Sequence, residues 1–293
     1  MTSAENLIKM ETRDFVVIGA GPAGMSAAVT AAQAGVEVAV ICEDPQIGGQ
    51  VFRQLNHPLQ LEHRLVDIQN RKVFEQLKEG WESTDIQLFS QSIAWGIFEE
   101  KMIALTSPKY SLVRAKYLLI SEGAYETPVV FPGWTLPGIM TVGAVQALMK
   151  GQGAIPEGKI IIAGTGPLLY YAAFQLLKNG ADVKAIIEAC SFPEVANWTR
   201  LLWRAPGVLG LGLKYMAVII KCKVPIYYRS VVKEARGNES LEEVQYTRVN
   251  HLWRPEKGTE KMMKADVLCL NFGFTPSTQF SHCLLYTSDA ADE

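Results

Sequence analysis

The chain has 293 residues, 48% of them hydrophobic, and a net charge of −2 from interspersed rather than blocked signs, so it has room for two ordinary domains and is poorly suited to nucleic acid. Met1 to Arg13 is polar and mixed, which argues against secretion. The longest apolar stretch, Ala205 to Ile220, is broken by Lys214 and glycines and falls short of the roughly 20 residues a membrane-spanning helix needs. Five scattered cysteines, Cys42, Cys190, Cys222, Cys269 and Cys283, form neither a C-x-x-C nor a C-x-x-x-x-C pair and fit a reducing compartment. Nothing in the sequence marks a metal site.

The first element is an apolar strand, Phe15 to Ile18, that runs into Gly19-Ala20-Gly21-Pro22-Ala23-Gly24. A helical stretch follows and ends near Gly35, and the next apolar strand ends on Glu43. This is the pattern of a dinucleotide-binding βαβ unit. Gly19 permits the tight turn, Gly21 lets backbone amides approach a diphosphate, and Gly24 lets helix and strand pack closely. The helix then aims unpaired amides and its positive end at the phosphates, with Glu43 placed to accept a ribose hydroxyl.

Beyond it, Ile47-Gly48-Gly49-Gln50 offers backbone that a ligand can approach, and the polar stretch from Arg53 to Glu79 carries Phe74 and Leu77 at helical spacing. His57 and His63 fall here and read as solvated rather than catalytic. From Ile86 to Ile120 the pattern predicts short strands, at Ile86 to Phe89, Trp95 to Phe98, Met102 to Thr106 and Tyr117 to Ile120, forming a β-meander rather than another βαβ unit. The last of these leads into Gly123 and Thr127-Pro128. Phe131 to Gly138, with four prolines and glycines in eight residues, reads as a stiff connector between domains.

The design then repeats 145 residues on: the apolar run Ile160 to Ala163, then Gly164-Thr165-Gly166-Pro167-Leu168-Leu169, a helical stretch ending near Gly180, and a strand ending on Glu188. Each acid follows its first glycine by 24 positions. Leu169 replaces the third glycine, which serves helix packing, so a displaced helix and a weakened but open phosphate site are expected. Glu188 would repel a 2′-phosphate and favour NAD over NADP. The alternative is a Rossmann-like unit that keeps the shape and has lost the ligand. Ala205 to Ile220 predicts a buried or partner-facing helix. Cys222, between Lys221 and Lys223, is either an activated thiol or an inert one. Val267 to Gly273 with Thr275-Pro276 nearly copies the strand-glycine-proline closure of the first unit.

Together these features resemble the flavoproteins of glutathione-reductase-like fold: α/β, with two nested Rossmann-like FAD- and NAD(P)-binding domains and a meander. The resemblance spans about residues 12 to 282. Within that class, Gly-Ala-Tyr-Glu-Thr-Pro at 123–128, the Phe131 to Gly138 segment and the Leu169 variant of the second turn are most similar to the FAD-binding A subunits of opine oxidases, cyanide-forming glycine dehydrogenases and related amino-acid dehydrogenases.

The resemblance implies an FAD domain in 1–130, an inserted NAD-type domain in 131–275 and a return to the FAD domain from 276 to 282. It implies FAD contacts at Gly19, Gly21, Pro22, Ala23, Gly24, Glu43, Gly49 and Gln50, closure by Gly123, and a second nucleotide, NAD or another adenosine ligand, at Gly164, Gly166 and Glu188. It implies a B subunit of the D-amino-acid-oxidase type that oxidises an amine or amino-acid substrate, and a cytoplasmic location with any membrane attachment made through a partner. It assigns no catalytic acid or base. A stand-alone NADH-dependent flavin reductase and a non-catalytic nucleotide-binding scaffold are the competing readings. The family's returning glycine-aspartate motif does not follow Phe280, and residues 283–293 resemble a translated sequencing adapter, so the expectation is a C-terminally truncated domain with a foreign tail.

Overall fold

The computed structural model describes residues 10–55, 68–107, 111–191, 206–282 and 284. His57, His63, Cys283 and most of the suspected tail lie outside them. Two units partition the described residues: the first holds those up to Tyr125 and those from Pro276 on, the second Glu126–Thr275.

The first unit opens with β1 (Met10–Ile18), α1 (Pro22–Gln33), β2 (Val38–Ile41), α2 (Ile68–Glu82) and β3 (Ile86–Phe89). Successive strands β4 (Ile93–Phe98), β5 (Met102–Thr106) and β6 (Leu112–Ile120) follow. They form one six-stranded sheet in the order β3-β2-β1-β6-β5-β4. Strands β1, β2 and β3 pair in parallel, as do β1 and β6, whereas β4, β5 and β6 pair antiparallel. The expected meander is therefore corrected at its first strand. Ile86–Phe89 is the third parallel strand, reached through α2, and only β4, β5 and β6 run as a meander.

Burial explains the sheet. All four residues of β2 are buried, as a parallel strand covered on both faces requires. Along β1, Val16 and Ile18 face one core cluster with Ala39, Ile41, Ile103 and Val113, and Val17 faces the other with Val38, Val40 and Ala28 of α1. Helix α1 stops at Gly35, whose φ of +82° suits only glycine, and the Val36 amide reaches back to the Ala31 carbonyl at 3.1 Å.

In the second unit the order repeats. After the short β7 (Ala124–Glu126), where the chain crosses over, come β8 (Ile139–Thr141), α3 (Val142–Ala147) with a π-helical turn to Gln152, β9 (Lys159–Gly164), α4 (Pro167–Lys178) and β10 (Asp182–Glu188). Helix α5 (Pro206–Lys221) leads to β11 (Ile226–Tyr228), β12 (Ser230–Arg236), β13 (Glu243–Arg248) and β14 (Lys261–Lys264). Strands β15 (Val267–Asn271) and β16 (Phe274–Pro276) come last. The parallel sheet runs β11-β10-β9-β15-β8, so β11-β10-β9-β15 matches β3-β2-β1-β6 of the first unit. Helix α4 also ends on a positive-φ glycine, Gly180, with the Ala181 amide donating to the Leu176 carbonyl at 3.0 Å.

One face of this sheet packs on α4 and α5 through Ile160, Ile162, Leu169, Leu176, Ile186 and Ile219. The other face packs on the antiparallel sheet β12-β13-β14 through Ile161, Ile187, Leu268, Val232, Val244 and Tyr246. Helix α5, the expected buried or partner-facing helix, sets Tyr215 against Phe174 and Tyr171 of α4 at 4.8 and 5.4 Å between ring centres. It leaves Leu213 and Ile220 exposed. The Phe131 to Gly138 segment is no free connector: Phe131 is buried in the second core, and the Ala235 amide donates to the Pro132 carbonyl at 2.9 Å.

Candidate nucleotide-binding turns

In the first unit the strand-to-helix turn is crowded underneath and open above. A Cβ on Gly19 would stand 2.4 Å from the Ser121 carbonyl oxygen, and one on Gly24 only 1.9 Å from the Gly19 carbonyl oxygen. Real Cβ atoms do not approach so closely. Gly24 thus lets α1 lie directly on the turn, as the spacing predicts. A Cβ on Gly21 would meet nothing within 4 Å. Gly21 caps α1 with φ −73° and ψ −179°, Pro22 opens the first turn, and neither a side-chain cap nor an acid occupies the helix start. The first amides of α1 are therefore left for an anion.

The loop after β2 folds onto this turn. The Gly48 amide donates to the Ala20 carbonyl at 2.8 Å, and a Cβ on Gly49 would lie 2.8 Å from Gly21 Cα. Gly49 has φ +57° and Gly48 +122°, so the close approach needs both glycines. Glu43 stands exposed two residues past β2, and Gln50 is exposed beside Gly49. Arg53 pairs with Asp44 at 3.3 Å and braces the loop. The structure thus brings Gly19, Gly21, Pro22, Gly24 and Gly49 together. Gly123, just past β6, is exposed with φ +78°, and its carbonyl accepts the Ser277 amide at 3.0 Å. Beside it, burial raises the pKa of Glu122.

Two residues the motif reading missed hold the turns. Ser121 donates from Oγ to the Ile18 and Gly19 carbonyls at 2.9 and 3.0 Å. In the second unit Asn271 donates from Nδ2 to the Thr165 carbonyl at 2.7 Å and accepts the Thr165 amide on its own carbonyl at 2.8 Å. Each stands two residues before the glycine of a strand-glycine-proline closure, so aligning the two closures would have found them both.

The second turn departs from the first. Gly164 is still crowded, its Cβ position 1.7 Å from the Asn271 carbonyl oxygen, and Gly166 is still open. Gly166 has φ +96°, however, where Gly21 has −73°, and Leu169 is fully buried in the core beneath α4. The backbone at the helix start thus differs between the two turns, while the space above the middle glycine is open in both.

Glu188 differs most from expectation. Glu43 is exposed, whereas Glu188 is only 1% exposed and turned inward. Its Oε1 accepts the Cys190 amide at 3.0 Å, and Tyr228 stands beside it in register on β11. Burial raises the Glu188 pKa, against the opposing effect of the Cys190 amide. Burial raises the pKa of Tyr170 and Tyr228 as well, with the Glu188 charge adding to the effect. A carboxyl so enclosed does not face a ribose hydroxyl. β10 runs to the acid itself, while β2 stops two residues short of Glu43, so equal spacing delivers the two acids to different surroundings.

Among the described cysteines, Cys42 and Cys269 are buried, Cys190 is half-buried with Sγ 3.1 Å from the Thr165 hydroxyl, and Cys222 is exposed. None is in a disulfide, and no cluster of metal-binding side chains occurs among the described residues. No described helix is long and apolar enough to cross a membrane.

Residues 13–290 match the family model of the pyridine nucleotide-disulphide oxidoreductases. The chain is 32% identical to the hydrogen cyanide synthase subunit HcnB of Pseudomonas aeruginosa, over 92% of this chain and 58% of that protein. It is 31% identical to the A subunit of the opine oxidase of Agrobacterium tumefaciens, over 96% of this chain and 57% of that protein. It spans little more than half the length of these relatives. The thioredoxin reductase of T. acidophilum shares the fold, with a TM-score of 0.63 at 20% identity over 92% of this chain and 80% of that one.

Proposed function

The chain belongs to the pyridine nucleotide-disulphide oxidoreductase family, and from that premise we propose that it is the FAD-binding, electron-transferring A-type subunit of a heteromeric amine or amino-acid dehydrogenase or oxidase. The observation that carries this reading is the open Gly21 mouth, with space above Gly21, backbone packed against Gly19 and Gly24, and the uncapped start of α1 behind it. Gly19, Gly21, Pro22, Ala23 and Gly24 would cradle the diphosphate, Gly49 and Gln50 would close over it, Glu43 would take the ribose, and Gly123 would border the site.

Bound there, FAD supplies the two-electron chemistry, and the chain supplies position and electrostatics. The scattered cysteines favour a flavin that passes electrons on over a disulfide reductase. The names of the relatives, subunits of hydrogen cyanide synthase and opine oxidase, favour a partner, which we infer to be an oxidase-type B subunit that receives the substrate. The open Gly166 mouth suits a second adenosine nucleotide and gives some support to a self-contained flavin reductase.

The test is to purify the protein with and without the candidate partner. The proposal expects yellow protein with stoichiometric FAD, and amine oxidation only when both subunits are present. Rapid flavin bleaching by NADH without a partner would favour the reductase. A folded, colourless protein that takes up no FAD would overturn both.

A further inference from the structure

We infer that the outward face of α5 lies on an anionic membrane surface, so that the chain attaches to lipid by its own helix, set in the plane of the interface. This goes beyond the flavin reading and does not rest on it. It replaces the attachment through a partner that the family resemblance implied.

Three observations meet on this helix. First, its outward face lacks the polar cover of an ordinary surface helix. Among described side chains, α2 exposes Arg71, Lys72, Glu75 and Glu79 beside a single apolar one, Val73. On α5, by contrast, Leu213 is 62% and Ile220 67% exposed, with Ala217 exposed between them on the same stripe. The opposite side of α5 packs on the core through Ile219 and Tyr215. Second, the charge around the stripe has one sign. Lys214 and Lys221 stand about two turns apart along one border, and Lys223 follows the helix. Lys178 of α4 and Lys214 lie over the same Phe174 ring at 5.3 and 5.4 Å, and the sequence carries no acidic residue from 195 to 233. Third, nothing in the chain covers the near end of the helix. Gly207 and Gly210 are exposed, and a Cβ on either would meet nothing within 4 Å. Glycine inside a helix is unfavourable, and no contact within the chain accounts for it here. A flat surface outside the chain does, because without side chains there the helix can lie close against it.

Lipid suits this face better than protein. Leu213 and Ile220 are its large exposed apolar side chains among those described, and together they fall well short of the roughly 800 Å² per partner that a stable protein interface buries. A second copy would set lysine against lysine. An interfacial helix needs only shallow burial of a few apolar groups beside cations that meet anionic headgroups, each cation strengthening binding by a few-fold. With 16 residues, α5 is too short to cross a bilayer and long enough to lie along one.

The experiment measures co-sedimentation of the purified chain with vesicles of phosphatidylcholine alone and of phosphatidylcholine with about 30% phosphatidylglycerol. The expected result is at least about tenfold tighter binding to the anionic vesicles, weakened severalfold in about 0.5 M salt, where charges are screened. Leu213→Ser with Ile220→Ser should lower that binding at least about tenfold, and Lys221→Glu at least about fivefold. These side chains are exposed, so the variants should keep the melting temperature of the parent. Leu252→Ser with Trp253→Ser removes comparably exposed side chains from the hairpin between β13 and β14 and should leave vesicle binding unchanged. No vesicle binding, equal binding to both compositions, full binding by the α5 variants, or binding lost through the hairpin variant instead would overturn the inference. It falls too if vesicles are ignored and the Leu213→Ser, Ile220→Ser pair dissociates a partner subunit or a second copy in light scattering, since the face then belongs to a protein.

Discussion

Gly21 and Gly24 look interchangeable as letters but answer to different neighbours. Gly21 has an extended backbone that alanine adopts freely and open space where a Cβ would point, so Gly21→Ala costs the fold almost nothing. The methyl group would instead occupy ligand space. The expected outcome is an unchanged melting temperature with FAD affinity down at least about tenfold, read by flavin fluorescence titration. Gly24→Ala is the opposite case, because its methyl would sit 1.9 Å from the Gly19 carbonyl oxygen. The start of α1 must move, at a cost of about 1–3 kcal/mol of stability measurable by urea unfolding. Equal loss of stability in both variants would mean that Gly21 serves the fold rather than a ligand.

Glu188 makes a pH prediction at the same scale. Burial raises its folded pKa above the ordinary glutamate value, so the folded chain holds a proton that the unfolded chain gives up. Between those two values the folded state binds more protons, and stability falls as pH rises. The contribution is fully present below the ordinary glutamate range and is lost once pH passes the folded pKa. Glu188→Gln mimics the neutral form and can still accept the Cys190 amide. Its melting temperature should therefore gain on the parent as pH rises above the ordinary glutamate range. A constant difference above that range would show that Glu188 does not titrate there.

At the scale of elements, α4 shows what a departure from motif means. Leu169 stands where glycine is usual, yet it is fully buried among Ile160, Ile162 and Leu176. Leu169→Gly would not restore a better nucleotide site. It would empty the core and place glycine in a helix, at a cost of roughly 3–6 kcal/mol in chemical unfolding, without tighter nucleotide binding. The glycine turns, the helix stops at Gly35 and Gly180 and the paired closures were legible because each depends on local backbone conformation, which glycine announces. What depends on pairing across the sheet was not. Ile86–Phe89 reads as one more short strand, and nothing in its residues tells whether it joins β2 in parallel or a meander. The inward turn of Glu188 is of the same kind, since it follows from Tyr170 on α4 and Tyr228 on β11, which are distant in sequence. The Phe131 to Gly138 segment carried the composition of a linker, but its anchors are Ala235 and Leu241.

At the scale of the whole molecule, the question is where electrons can reside. A disulfide reductase stores two in its flavin and two in a cysteine pair, whereas this chain has no closely spaced cysteines. Cys42 and Cys269 are buried with raised pKa, Cys269 to about 12, and both stay protonated and unreactive at neutral pH. Cys190 is half-buried two residues past β10, and Cys222 is exposed one residue past α5. If the flavin is the sole redox centre of the chain, anaerobic dithionite titration of FAD-loaded protein should reach its end point at about two electrons per flavin. Thiol counting in the folded state should give the same number before and after reduction, with Cys222 reacting first. An end point near four electrons, accompanied by two new thiols, would mean that cysteines distant in sequence form a redox pair after all. The flavin would then discharge into a disulfide, and the chain would be working as a reductase instead of relaying electrons from a partner protein.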